Sequence, residues 1–163
     1  MAIVEMALLC KYKTNLYIGN EAAVKTLPLS LYGVSIIINF GQMLKTDIAQ
    51  FIFSAPSQEL MASEVPRIAE RLQGIVKEMH MYIAEGHTVM LCCSDGLIKS
   101  PLLALCSELH AKTTQAEIKT LLAKIDRVYC SPNCKSPCAT HRVMPLQSFR
   151  DALIKKYIEL CPV

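Results

Sequence analysis

Leu91-Cys92-Cys93-Ser94-Asp95-Gly96-Leu97-Ile98-Lys99-Ser100-Pro101 is the stretch that decides the fold. Before it, Thr88 to Cys92 carries no charge and reads as a buried strand. After it, Ser100 to His110 reads as a helix. A strand running through a short loop into a helix gathers backbone N–H groups and the positive end of the helix around one point. Such a point suits an anion. The same N–H groups stabilise a thiolate at the start of the loop, and a thiolate beside a bound phosphate can attack phosphorus. Cys93 is therefore a candidate nucleophile. Ser94, Asp95, Gly96, Leu97, Ile98 and Lys99 are candidates for the rest of a phosphate cradle. The plainer alternatives are core packing for the cysteine pair, a helix cap for Asp95 and a solvated surface position for Lys99.

Outward from this loop, strands and helices alternate. Leu16-Tyr17-Ile18 reads as a short strand, with Asn20 as N-cap of a helix from Glu21 to about Thr26. Val34 to Asn39 is β-branched and apolar, like a strand buried on both faces, and Gln50 to Phe53 reads as a third strand. Val65, Ile68, Ala69, Leu72, Ile75, Val76, Met79 and Tyr82 form one helical stripe. Ser63 is the expected cap, Pro66 lies in the first turn, and Gly86 marks the end. Thr114 and Glu117 form a capping-box pair before Ile118, Leu121, Leu122 and Ile125. A last helix follows Pro145, with Leu146, Phe149, Leu153 and Tyr157 on one side. The expected fold is α/β: a single domain over residues 1–163, with a central, mostly parallel sheet of about four to five strands flanked by helices on both faces.

Composition narrows the function classes. The chain has 163 residues, 52% apolar and 19% charged, enough for a packed core without staples. A net charge of +3, no Trp and 6% aromatics argue against nucleic acid as a partner. The uncharged run from Thr26 to Leu44 contains Pro28, Gly33, Asn39 and Gly41, so it reads as turns around a strand and not as a membrane span. No secretory signal pattern opens the chain, so the expected compartment is the reducing cytoplasm. There, eight cysteines point to thiols, metal or catalysis before disulfides.

The loop resembles the signature of the cysteine-dependent phosphatases, His-Cys, five residues, then Arg-Ser/Thr. The wider chain is similar to their dual-specificity branch, through Leu16-Tyr17-Ile18-Gly19-Asn20 with Ala22-Ala23, through Gly33 to Asn39, and through Ser100-Pro101-Leu102. The resemblance runs from about Leu16 to Tyr157. It implies that Cys93 is the nucleophile, that Ser100 supplies the hydroxyl assisting thiolate departure, and that Gly96 permits the tight loop. Three parts of the pattern differ. The phosphate-gripping arginine falls on Lys99, which keeps the charge and loses the bidentate fork. The preceding histidine falls on Cys92. The general-acid aspartate falls near Ala55, and no Asp or Glu occurs between Asp47 and Glu59. Cys93-Ser94-Asp95-Gly96 also looks like the start of the myotubularin lipid-phosphatase loop, a likeness that stops before Ile98 and Lys99.

Cys130, Cys134, Cys138 and His141 lie in what looks like an insertion at about 130–141. They have the ligand types of a Cys₃His structural zinc site; a thiol-rich surface loop is the alternative. No other cofactor is expected. The resemblance and its departures imply a pseudophosphatase that binds phosphorylated protein or scaffolds a signalling complex. Two alternatives stand beside it. One is an active phosphatase for phosphotyrosine, phosphoserine/threonine or phosphoinositide, with Lys99 as the charge and Glu59 or water as the acid. The other is a zinc- or redox-sensing interaction module.

Overall fold

Five strands make one sheet in the order β1-β2-β5-β3-β4: β1 Leu9–Lys13, β2 Leu16–Asn20, β3 Val34–Asn39, β4 Ala49–Ile52 and β5 Thr88–Cys93. A computed structural model describes residues 6–53, 62–94, 98–130 and 147–162. β1 pairs antiparallel with β2, and the other pairings are parallel. The helices are α1 Glu21–Thr26, α2 Val65–Ala84, α3 Lys99–Cys106, α4 Gln115–Ile125 and α5 Gln147–Leu160.

The charge-free run at β5 takes the centre because a strand paired on both sides and covered on both faces has no place for a charge. Its residues alternate between two cores. Val89, Leu91 and Cys93 join Leu16, Ile18 and Ile38 under α2 to α5. Met90 and Cys92 join Ile37 on the other face, under Ala23 and Val24 of α1 and Leu29 of a short 3₁₀ turn. Helices therefore cover both faces, as expected, but in unequal layers.

The helix ends follow their local chemistry. The Asn20 side chain accepts from the Ala23 N–H at 3.0 Å and caps α1. Thr114 and Glu117 form the full capping box of α4, and the Thr114 N–H and hydroxyl hold the Glu117 carboxyl below its ordinary range. Ser63 does not cap α2. It lies in a 3₁₀ turn, Ala62–Glu64, and Glu64 precedes the helix without a side-chain cap bond. Gly86, at φ 95°, follows α2 as the end signal required.

Some boundaries move. β4 is Ala49–Ile52, one residue earlier than Gln50 to Phe53, although the Phe53 N–H still donates to the Asn39 carbonyl at 2.8 Å. β5 continues through Cys93. α3 stops at Cys106, short of His110, where the Ser107 hydroxyl turns back to the Ala104 carbonyl at 2.6 Å. In α5, Phe149, Leu153 and Tyr157 are buried as the stripe requires, and Leu146 lies outside the described residues.

β1 was not anticipated from the sequence. Lys11 and Lys13 flank the buried Tyr12 on an edge strand, the polar alternation that protects an open edge. Asn15 at φ 66° makes the tight turn into β2. β2 also requires a glycine. A Cβ on Gly19 would lie 2.4 Å from the Leu8 carbonyl oxygen and 2.9 Å from the Met90 terminal methyl. In urea unfolding we expect Gly19→Ala to lower stability by about 1–3 kcal/mol. Gly74→Ala, in open space on α2, should raise it by about 1 kcal/mol.

Candidate active site

The carboxyl ends of parallel strands form the crevice in which α/β folds place ligands. Here β2, β5 and β3 end together: Asn20 is in register with Cys93, and Asn39 with Cys92. Both asparagines are buried and spend their amides on the chain that rims the crevice. Asn20 accepts from the Leu8 N–H at 2.9 Å and donates to the Met6 carbonyl at 2.8 Å. Asn39 accepts from the Gly41 N–H and donates to the Gln42 carbonyl, each at 2.8 Å.

Cys93 closes β5 at 4% exposure, on the face covered by α2 to α5. Ser94 follows, and its carbonyl accepts from the Glu21 N–H at 3.4 Å. Asp95, Gly96 and Leu97 lie outside the described residues. The chain re-enters at Ile98, which caps α3 without a side-chain bond. The first-turn N–H groups of α3 thus receive no capping side chain from Ile98. Lys99 is the first residue of the helix and is half-buried. Ser100 is fully buried, and among the described residues its hydroxyl has no hydrogen-bond partner. A buried hydroxyl without a partner is costly, and one in the first turn of α3 is available to a thiolate or an oxyanion at this junction.

No family model and no curated protein sequence matches the chain. Solved structures do. Human DUSP28 is similar with a TM-score of 0.67 at 13% identity, over 97% of this chain and 99% of that one. A mouse putative dual specificity phosphatase, solved with zinc tungstate, is similar with a TM-score of 0.65 at 15% identity, over 98% of this chain and 92% of that one. The human tyrosine phosphatase-like serine/threonine/tyrosine-interacting protein gives 0.57 at 13%, over 90% and 93%. The chain has the dual-specificity phosphatase fold.

Within the dual-specificity phosphatase fold, the junction of β5 and α3 brings Cys93, Ser94, Ile98, Lys99 and Ser100 to one end of the sheet. Cys92 does not share Cys93's side. Its sulfur lies in the core under α1, where burial above all, then the neighbouring Cys93 and Glu21, pushes its thiol far above the ordinary range. It is a packing residue, and its thiol makes one long contact, 3.9 Å, to the Cys93 carbonyl. Ala55 and Glu59 lie outside the described residues.

Burial raises Cys106 strongly, with Cys161 adding to it, and burial also raises Cys10 and Cys161. Of the four candidate zinc ligands, Cys130 is half-buried just after α4, while Cys134, Cys138 and His141 lie outside the described residues. Among the described residues no three metal-ligating side chains gather, and no helix is long and apolar enough to cross a membrane.

Sequence reasoning missed Glu21. Its N–H reaches Ser94, and its carboxylate lies against the chain leaving β3, where a Cβ on Gly41 would stand 2.9 Å from Oε1. The available signal was position: Glu21 directly follows a strand that ends at the crevice.

Proposed function

We propose that this protein binds phosphorylated protein at the junction of β5 and α3 and turns phosphoesters over slowly. The observation that carries this reading is Lys99 at the first position of α3, beside the Ser100 hydroxyl, which has no partner among the described residues. Helix-start amides, one lysine and one hydroxyl can hold a tetrahedral oxyanion. A lysine is a point charge, so the paired N–H contacts that an arginine makes to two phosphate oxygens are absent. With Ala55 where the resemblance expects the acid, a leaving alkoxide takes its proton from water. A protein of this fold described as phosphatase-like and as interacting with serine/threonine/tyrosine supports a binding role. We place that role in the cytoplasm.

The second reading is a working phosphatase, favoured by the retention of Cys93 and Ser100. In it the Cys93 thiolate bonds to phosphorus as the ester P–O bond breaks, and water then releases phosphate and restores the thiol. Its substrate is a phosphoprotein or a phosphoinositide; PTPMT1, of the same fold, was solved with PI(5)P.

Hydrolysis of p-nitrophenyl phosphate by the parent protein and by Cys93→Ser separates the readings. We expect the two proteins to be within a few-fold of each other, and the serine variant to retain phosphopeptide binding. Turnover near the usual enzymatic median of about 10 per second, abolished in Cys93→Ser, would overturn the binding role in favour of catalysis.

A further inference from the structure

We propose that β4 is a dimerisation edge: two copies of this chain pair antiparallel through β4, with Phe51 at the two-fold axis, and join their sheets into one. This surface is separate from the anion site and does not depend on it.

The strand order leaves β1 and β4 as the two edges of the sheet, and the sequence treats them differently. β1 carries Lys11 and Lys13, and its register with β2 shifts between them. Charges and irregular pairing both discourage a further strand. From Ile48 to Phe53 there is no charge, no proline and no glycine. Within that stretch Phe51 is 41% exposed and Ile52 39%. An uncharged, apolar, regular edge is the kind that proteins cover.

The free backbone groups of β4 stand at fixed positions. Asn39 is opposite Ile52 in the parallel pairing, and the Phe53 N–H donates to the Asn39 carbonyl at 2.8 Å. Successive residues of a strand turn their N–H and C=O groups to alternate sides, so Phe51 and Phe53 face β3 while Gln50 and Ile52 face outward. Among the described residues β4 pairs only with β3. The Ile48 N–H is already bonded to Thr46 Oγ1 at 3.2 Å. The groups left for a new strand are those of Gln50 and Ile52, one on each side of Phe51.

This arrangement is self-complementary. With Phe51 opposite its counterpart, Gln50 faces the partner's Ile52, and Ile52 faces the partner's Gln50. Each such pair exchanges two N–H···O bonds. The two-fold axis closes the contact at two copies. No like charges meet across it, because residues 48–53 carry none. The Phe51 ring stacks on Tyr82 of α2, with 5.0 Å between centroids and 27° between planes. Opposed side chains of a non-hydrogen-bonded pair stand closest, so the two Phe51 rings meet between the two tyrosines. An edge whose free groups are symmetric about one residue fits a second copy of itself before it fits an unrelated extended peptide.

Such a joint lies at the low end of interface sizes, and its expected Kd is on the order of 10 μM. Sedimentation velocity of the full chain from about 1 to about 500 μM spans that value. We expect monomer at the low end and dimer at the high end. Phe51→Lys and Phe51→Glu, each setting like charges opposite one another, should raise Kd about tenfold or more. An equimolar mixture of the two should dimerise about as well as the parent. Ile52→Pro removes an outward N–H without touching the ladder to β3, and should also weaken the dimer. Amide exchange in the parent, followed by NMR, needs no variant: the Gln50 and Ile52 amides should gain protection with concentration, and those of Phe51 and Phe53 should not. A parent that stays monomeric throughout overturns the proposal and leaves the edge to an extended peptide of another protein. A species larger than a dimer, a dimer unmoved by these substitutions, or a mixture no tighter than its separate variants also overturns it.

Discussion

Lys99→Arg combined with Ala55→Asp should raise phosphoester turnover by about two to four orders of magnitude over the parent, all of it dependent on Cys93. The arginine restores two parallel N–H contacts to the phosphate oxygens at the first position of α3. The aspartate restores a proton for the leaving oxygen, a contribution worth about a hundredfold to ten-thousandfold. The two changes act on the same transition state, so the double variant should exceed either single one. Steady-state hydrolysis of p-nitrophenyl phosphate provides the check. If the double variant stays at the parent's rate, the β5–α3 junction is not a phosphatase cradle at all. A gain that survives Cys93→Ser would assign the chemistry to another group.

The second large effect concerns stability and is asymmetric. Arg150, in the first turn of α5, grips Asp126, the residue that ends α4, through two nitrogen–oxygen contacts of 2.6 and 3.1 Å. Each stands at the helix end that its charge disfavours, a cation at an N-terminus and an anion at a C-terminus. Their mutual attraction offsets both. The arginine side chain is 5% exposed and the aspartate 31%. Asp126→Ala leaves a buried guanidinium whose Nε has no partner among the described residues, and we expect a loss of about 3–5 kcal/mol. Arg150→Met leaves a carboxylate that water can reach and fills the arginine's volume with apolar atoms. That change should cost less than about 1.5 kcal/mol. Urea midpoints at unchanged slope measure both, and equal losses would contradict the asymmetry.

Much of the fold was legible because its strongest signals are also its most buried elements. The uncharged β5, the β-branched β3 and the stripe of α2 each admit one arrangement, so order and layering followed from them. β1 was hidden because its sequence is that of a protected edge, with Tyr12 the one buried side chain between two lysines. α3 ends early because Ser107 competes for a backbone carbonyl, which an apolar count does not register. At the site, Cys93, Lys99 and Ser100 were readable because they are close in sequence. Glu21 was not, since only the parallel pairing of β2 with β5 brings it to Ser94. The departure at Cys92 acquired a physical meaning only with its sulfur under α1.

The opposite orientation of Cys92 and Cys93 bears on oxidation. A disulfide needs β-carbons about 3.8 Å apart and directed toward one another, whereas consecutive side chains of a strand point to opposite sides. Peroxide that converts Cys93 to a sulfenic acid thus finds no resolving thiol in the adjacent residue. Recovery of that sulfur needs a thiol other than its neighbour, and prolonged exposure drives it toward the sulfinic state.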